Sequence, residues 1–324
     1  MSTSPLFNNY LQKLTGANSC HQTQIIQTLW SGYGKIARYK LQGVEIDSVV
    51  VKEIKLQKAN QHPRGWNTNV GHERKVKSYE VETHWYKEWS EQCNEQCRIP
   101  KLLGSYTEDG KQWLVLEDLI VEFPERKVDL CPEQAKVCLK WLANFHAQFL
   151  GKHPQDLWPI GTYWHLQTRQ EEWERMQASE LKEKARAIDN RLNQCQYKTI
   201  LHGDAKVANF CFSKLGDRVA AVDFQYTGAG CGMKDMAYFL GSCLSSDECF
   251  RFESELLDNY FQQLKKALIN SSTSTQLECL ESEWRALYSF AIADFTRFLL
   301  GWMPSHQKVN EYHLSITNNV LAHI

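Results

Sequence analysis

The feature that most constrains this chain is a cluster of polar side chains inside an apolar segment, LHGDAKVANFCF, at residues 201–212. Within eight positions it carries four side chains that can bind protons or ions: His202, Asp204, Lys206 and Asn209. A second apolar run, VAAVDFQ, contains Asp223, fourteen residues after Asn209. Such short apolar runs predict strands, and a hairpin between them would bring Asp223 beside Asn209.

Two interpretations of this cluster are open: a turn that happens to be polar, or a site of phosphoryl transfer. The transfer reaction needs a carboxylate that accepts or orients the proton of the attacking hydroxyl, and Asp204 supplies one. It also needs oxygen ligands for a magnesium ion on the phosphates, which Asn209 and Asp223 supply. A cation that neutralises charge on the transferring group completes the set, and Lys206 is the candidate.

The bulk composition restricts the class of protein. With 324 residues and 43% apolar content, the chain is typical of one large globular domain or two lobes. A net charge of −1 gives no overall basic surface for nucleic acid. The sequence shows neither a secretory signal nor the roughly 18 unbroken apolar residues of a membrane span. Because the 11 cysteines are scattered, we expect reduced thiols and a cytoplasmic location. The charge and the lack of an apolar span lead us to expect no nucleic-acid or membrane partner.

The order of local patterns predicts an α+β protein. Strand signals dominate the first third, and one helical pattern begins there, at Glu73. Residues 57–73 are rich in Asn, Gly, Pro and Gln, which favours an exposed loop. After Leu119 the patterns become mainly helical. We therefore expect an N-terminal lobe at residues 1–118 and a C-terminal lobe at residues 119–324, with a cleft for a ligand between them.

Two motifs of the polar cluster carry a family resemblance. They are HGD at residues 202–204, with Asn209 five residues after the Asp, and DFQ at residues 223–225. They resemble the catalytic and metal-binding loops of the protein-kinase-like small-molecule kinases, which include aminoglycoside phosphotransferases, choline kinases and ecdysteroid-kinase-like proteins. Gly203 and Gln225 differ from the protein-kinase motifs, and the DFQ ending is similar to the ecdysteroid-kinase-like branch. The resemblance implies a two-lobed fold, with a small antiparallel-sheet lobe and a larger, mainly helical lobe.

Features near the N-terminus extend the resemblance to nucleotide binding. Lys52, at the end of the run VVVK, resembles the strand lysine that contacts the α- and β-phosphates. Its expected partner on the next helix is Glu82, and Glu80 is the competing candidate. Gly32 and Gly34, in SGYGK, resemble the loop that covers the phosphates, where glycines let backbone N–H groups approach. A plain hairpin also explains both glycines.

Later features follow in the order expected for the same family. The segment LVLEDL, at residues 114–119, resembles the lobe linker whose backbone binds adenine, with Glu117 and Leu119 as the expected contacts. The pattern LANFHA, at residues 142–147, resembles the helix that packs under the catalytic loop. Asp235, in KDMA, resembles the Asp that steadies that loop.

The resemblance implies a kinase that uses ATP and Mg²⁺ and phosphorylates a hydroxyl group of a small molecule, with Asp204 as catalytic base. The alternative is a catalytically silent kinase-like module that binds a nucleotide or another ligand. A protein kinase is disfavoured, because no A-P-E motif follows Asp223 and the KDMA segment arrives too soon for a long activation loop.

The sequence leaves the acceptor and the oligomeric state open. Three aromatic residues could line an acceptor pocket or pack in the core: Trp158, Tyr163 and Trp164. Acidic residues of the C-terminal part, such as Glu281 and Asp294, would favour a cationic acceptor if they faced it.

Overall fold

The computed structural model describes most of the chain: residues 4–29, 32–55 and 69–324. The fold divides into two compact units, each made of two chain segments. The first unit comprises Met1–Glu91 and Ile99–Glu122, and the second comprises Gln92–Arg98 and Phe123–Ile324. The functions expected for the lobes at residues 1–118 and 119–324 stay predictions.

The first unit contains a five-stranded antiparallel sheet with the strand order β1-β2-β3-β5-β4. Its strands are β1 (Ser19–Thr28), β2 (Gly34–Gln42), β3 (Ser48–Lys55), β4 (Leu102–Glu108) and β5 (Lys111–Glu117). The hairpin between β4 and β5 turns at Asp109 and Gly110, whose φ angles of 46° and 70° are left-handed. Asp and Gly tolerate this conformation better than most residues, so the DG pair explains the tight turn.

Two helices of the first unit correct the sequence prediction. Helix α1 (Pro5–Thr15) was not predicted, although Pro5 at its first turn and Gly16 after its end are typical helix boundaries. Helix α2 (Asn69–His84) begins four residues before the predicted start at Glu73, so the expected loop is helical from residue 69. The rest of that loop, residues 57–68, lies outside the described residues.

The sheet presents different side chains on its two faces. Val49 and Val51 of β3 belong to a buried cluster with Phe7 of α1 and Trp113 of β5, and these two rings stack with centroids 5.0 Å apart. Successive side chains of a strand alternate between faces. Lys52 therefore lies on the opposite face from Val51, where α2 packs.

The second unit is mainly helical. Its helices are α3 (Pro132–Gln148), α4 (Gln170–Arg175), α5 (Glu180–Asn193), α6 (Met233–Cys243), α7 (Ser246–Leu268), α8 (Ser274–Trp302) and α9 (Glu311–Leu321). Helix α3 packs against α7, and α8 packs against α5, α6 and α9. The predicted apolar stripe of α3 is fully buried, which explains why this helix lies in the centre of the unit; its members are Cys138, Leu142, Phe145 and the flanking Phe149.

Two small antiparallel sheets connect these helices. Strand β6 (Thr199–Leu201) pairs with β9 (Gly228–Gly230), and β7 (Phe210–Phe212) pairs with β8 (Val219–Ala221). All four strands are three residues long, and they fix the chain on both sides of the segment that carries the polar cluster. Among the described helices, none is long and apolar enough to cross a membrane.

Candidate active site

Asp204 lies in the loop after β6 and is only 5% exposed. Lys206 Nζ lies 2.9 Å from Asp204 Oδ2. Asn209 Nδ2 donates hydrogen bonds to the Asp204 backbone oxygen at 2.8 Å and to Oδ2 at 3.0 Å. A short 3₁₀ turn at Val207–Asn209 folds the chain back, so that the Asn209 side chain reaches Asp204, five residues earlier in the sequence.

The orientation of the Asn209 amide follows from its partners. Both Asp204 oxygens can only accept, so the NH₂ group of Asn209 must face them. Asn209 Oδ1 then points away from Asp204, and it accepts no hydrogen bond from the described residues. An amide oxygen held in this way suits a hard divalent cation.

Asp223 reaches the same region through the β7–β8 hairpin, which is present as predicted. The backbone N–H of Val222 donates to the Asn209 oxygen at 2.9 Å, so Asp223 is the next residue after that link. Its φ of 73° lies in the left-handed region that non-glycine residues rarely adopt. Its carboxylate accepts a hydrogen bond from the side chain of Gln225, the last residue of the DFQ motif.

Lys206 is held as a cation by its neighbours. Partial burial by itself would lower the pKa of its ammonium group, but the carboxylates of Asp204 and Asp223 outweigh burial and raise it. The side chain is 38% exposed, so the ammonium remains accessible. The loop thus presents a permanent positive charge beside two carboxylates.

Asp235 of α6 anchors the backbone of the loop that carries Asp204. Its carboxylate accepts hydrogen bonds from the backbone N–H groups of His202 at 2.7 Å and Gly203 at 3.0 Å, and it lies 3.1 Å from His146 Nε2. Tyr260 continues this buried network at 2.7 Å from His146 Nδ1. A carboxylate with three donors fixes the loop backbone more tightly than neutral partners could.

Gly203 and His202 help to shape the loop that carries Asp204. Gly203 has a φ of 81°, and an added Cβ would lie 2.0 Å from the backbone oxygen of Tyr226, so only glycine fits. Burial lowers the pKa of His202, which keeps its imidazole neutral. Its Nδ1 accepts from Asp204 N–H at 3.3 Å, so Nε2 carries the proton and donates to the Val222 oxygen at 3.1 Å.

The first unit places Lys52 against Glu82 rather than Glu80. Lys52 Nζ lies 2.6 Å from Glu82 Oε2, and both residues are at most 2% exposed. Glu80 is exposed on α2 and lies 3.6 Å from Lys77. A buried ion pair costs desolvation free energy, and removing one partner leaves an uncompensated charge. This strand lysine is therefore held at a fixed position by the helix.

The glycines of the β1–β2 connection differ in what they require. An added Cβ on Gly34 would lie 1.9 Å from the Glu53 backbone oxygen, so Gly34 permits the close pairing of β2 with β3. Gly32 has a φ of 75°, and no atom of the described residues lies within 4 Å of its Cβ position. Ser31, between the two strands, lies outside the described residues. A role of Gly32 and Gly34 in covering the phosphates stays a prediction.

Comparison with known proteins places these residues in a family context. Residues 161–272 match the sequence model of the ecdysteroid kinase-like family, and this segment contains Asp204, Asn209, Asp223 and Asp235. The resemblance expected from the HGD and DFQ motifs is therefore confirmed. Comparison with curated proteins gave no match.

Solved structures share the fold at low sequence identity. An ethanolamine kinase from Plasmodium vivax is 12% identical, with a TM-score of 0.55, over 96% of this chain and 84% of that chain. A microcompartment-associated aminopropanol kinase is 13% identical, with a TM-score of 0.52, over 98% of this chain and 95% of that chain. The chain has the protein-kinase-like phosphotransferase fold. The α+β fold class predicted from the sequence is thereby confirmed.

The expected adenine contacts of this kinase-like fold lie at the end of β5. The Glu117 backbone N–H donates to the Lys101 oxygen at 2.9 Å, and Glu117 Oε2 accepts from Lys101 N–H at 3.1 Å. Leu119 is buried, and its backbone oxygen accepts from Glu122 N–H at 3.1 Å. These contacts join Glu117 and Leu119 to other residues of the chain. The binding of adenine by Glu117 and Leu119 therefore stays a prediction.

The three aromatic residues singled out from the sequence have different positions. Trp164 is fully buried in a core cluster with Tyr238 and Phe295. Trp158 donates from Nε1 to the Gln225 oxygen at 2.9 Å and so supports the DFQ segment. Tyr163 lies beside the polar cluster, where its backbone N–H donates to the Gly203 oxygen at 3.2 Å. Burial raises the pKa of its hydroxyl, and the charge of Asp204 raises it further. Only Tyr163 therefore has a position that suits an acceptor pocket.

Two residues near Asp204 were not predicted. The Tyr238 hydroxyl lies 3.4 Å from that of Tyr163. Burial raises the pKa of the Tyr238 hydroxyl, and Tyr163 and Asp204 raise it further. Lys308, in the connection between α8 and α9, has its ammonium 4.6 Å from the centre of the Tyr238 ring. Neither belongs to a motif, and their sequence separation from Asp204 gave no signal.

The acids considered for a cationic acceptor are both engaged elsewhere. Asp294 is fully buried, accepts from Arg297 at 2.8 and 2.9 Å, and lies 3.5 Å from Lys234 Nζ. Glu281 pairs with Lys265 and, at 2.7 Å, with Arg285. Their charges are balanced within the protein, so they give no reason to expect a cationic acceptor.

Proposed function

We propose that this protein transfers the γ-phosphoryl group of ATP to a hydroxyl group of a small molecule in a Mg²⁺-dependent reaction. The observation that carries the proposal is the arrangement around Asp204: one buried carboxylate, bonded to a lysine and an asparagine, with Asp223 brought next to that asparagine by a hairpin. These are the functional groups that positioning and charge stabilisation of phosphoryl transfer require.

Asp204 would act as the base. Lys206 and Asn209 both donate to Oδ2, which leaves Oδ1 to accept the proton of the attacking hydroxyl. The oxygen of that hydroxyl then forms the new bond to the γ-phosphorus while the bond to the β-γ bridging oxygen breaks, and ADP leaves. The loop under Asp204 is fixed by Asp235, so the carboxylate needs little reorganisation during the step.

Charge on the phosphates would be balanced by lysines and by the metal ion. Lys206 supplies a cation beside Asp204, and Lys52, fixed by Glu82, supplies a second one for the nucleotide phosphates. Bound Mg²⁺ neutralises charge on the phosphate oxygens. Asn209 Oδ1 and the Asp223 carboxylate are hard oxygen ligands that fit this ion, and they are the residues that would hold it.

The substitution Asp204→Asn tests the proposal. It removes the base but keeps the size of the side chain, so we expect kcat to fall by about 10²- to 10⁴-fold while the Kd for Mg-ATP changes little. The measurement is transfer of label from γ-labelled ATP to a panel of hydroxylated small molecules, together with nucleotide binding by calorimetry. Asp258→Asn, an exposed change on α7, is the matched control.

Two outcomes would count against the proposed roles. Normal turnover by Asp204→Asn would exclude Asp204 as the base. Binding of Mg-ATP by the wild type without transfer to any acceptor, and without slow transfer to water, would favour the catalytically silent binding module instead.

A further inference from the structure

Lys308 is a cation without a hydrogen-bond partner for its ammonium group among the described residues. Its Nζ lies over two aromatic rings, 4.6 Å from the centroid of Tyr238 and 5.7 Å from that of Phe295. No carboxylate of the described residues pairs with it. His306 fixes the turn that carries Lys308. Its imidazole Nδ1 accepts from the backbone N–H of Lys308 at 3.1 Å, and its backbone oxygen accepts from the N–H of Val309 at 2.8 Å.

The ammonium of Lys308 lies within electrostatic reach of the polar cluster. Burial, opposed by the Asp204 charge and assisted by that of Lys206, lowers the pKa of Lys308 to about 8. Partial burial of an ammonium group without a carboxylate partner disfavours its charged form. Perturbed groups of this kind are concentrated at functional sites.

Lys308 has no carboxylate partner among the described residues, unlike other cations of this region. Lys206 is paired with Asp204, and Arg297 and Lys234 are paired with the buried Asp294. Lys308 is therefore available to pair with an anionic group of a bound molecule. The rings that it packs over belong to a buried aromatic cluster: Tyr238, Phe295 and Phe298 are at most 4% exposed, and Tyr163, which contacts Tyr238 and Phe298 edge to face, is partly exposed.

We propose that Lys308 binds an anionic group of the acceptor, so that the acceptor is a hydroxylated molecule with a negative charge. The proposal rests on the proposed function, because Asp204 defines where the reacting hydroxyl lies. The anion would accept charge-assisted hydrogen bonds from the Lys308 ammonium group. The alternative is a lysine that only packs over two rings.

Binding of three matched alcohols separates these roles. They share a benzyl alcohol body and differ in the para group: para-hydroxymethylbenzoate is an anion, its amide is neutral, and para-aminomethylbenzyl alcohol is a cation. We expect the wild type to bind the anion about 10- to 100-fold more tightly than the amide, as one charge-assisted hydrogen bond allows, and to bind the cation most weakly. Titration by ligand-observed NMR without nucleotide keeps this result independent of phosphoryl transfer.

Variants assign the preference to one residue. Lys308→Met and Lys308→Gln should abolish the difference between anion and amide, while Lys308→Arg should retain it. Lys266→Met, an exposed change on α7, should leave it unaltered. The inference is wrong if the wild type binds the anion no more tightly than the amide, or if either uncharged variant keeps the preference. If the preference depends on Lys308 but the wild type transfers phosphate neither to any acceptor nor to water, the proposed function fails and the assignment of Lys308 as an anion-binding residue stands.

Discussion

Asp235 is the residue on which the geometry of the Asp204 loop depends most. It contacts neither Asp204 nor any residue proposed to bind the nucleotide, yet its two oxygens hold the backbone of His202 and Gly203 and orient His146. Its side chain is fully buried. This one internal carboxylate thus fixes the backbone at the start of the loop.

We predict that Asp235→Asn destabilises the protein and impairs the loop. The new NH₂ group would face a backbone or imidazole N–H, so at least one buried donor would lose its acceptor. The free energy of unfolding should fall by about 3 kcal/mol, measured by urea denaturation. The exposed Asp258→Asn should change it by no more than about 0.5 kcal/mol. Equal effects of the two substitutions would show that Asp235 does not anchor the loop.

At the scale of elements, the pairing of β2 with β3 positions Lys52. Gly34 pairs with Ile54, and Lys52 pairs with Ile36 in the same ladder. Lys52 and Ile54 point to the same face because they are two residues apart. A change in the register of this ladder would move Lys52 away from α2 and from Glu82.

We predict that Gly34→Ala is far more damaging than Gly32→Ala. The first places a Cβ 1.9 Å from the Glu53 oxygen, and the second meets only the cost of a left-handed φ. We expect losses in unfolding free energy of more than about 2 kcal/mol for Gly34→Ala and about 1 kcal/mol for Gly32→Ala, measured by thermal denaturation. If Gly32→Ala were the more destabilising of the two, the contact between Gly34 and β3 would not be the constraint.

The elements also explain which residues could be predicted from the sequence. Asp204, Asn209 and Asp223 lie within 20 positions, and local turns bring them together, so spacing alone predicted their arrangement. The choice between Glu80 and Glu82 depends on which face of α2 meets the sheet, and this required the structure. Helix α1 was missed because strand signals dominate the first third of the chain, although its apolar residues recur at helical spacing: Leu6, Phe7, Tyr10, Leu11 and Leu14.

The proximity of Lys308 to Asp204 could not be predicted from the sequence. Lys308 lies 104 positions after Asp204, and the packing of α6, α8 and α9 brings it near. No local pattern encodes such proximity. The acceptor side of the site is therefore the part that depends most on tertiary packing, whereas the proposed base and metal ligands come from one segment.

At the scale of the whole molecule, each unit holds its own set of polar groups. The first contains Lys52 and Glu82, and the second contains Asp204, Asn209 and Asp223. The net charge of the chain is only −1, so binding of a highly charged nucleotide has to depend on these local groups and on Mg²⁺. Stability of the whole protein should then respond to the two ligands together.

The most direct test of this account is thermal stability with ATP, with Mg²⁺, and with both, for the wild type and for Asp223→Ala. At about 100 times the Kd, a ligand adds about 2.7 kcal/mol of stability. We predict this gain only for the wild type with both ligands present, because Asp223 is a proposed metal ligand. No shift of the wild type at millimolar Mg-ATP, or an equal shift of Asp223→Ala, would contradict the proposed Mg-ATP site.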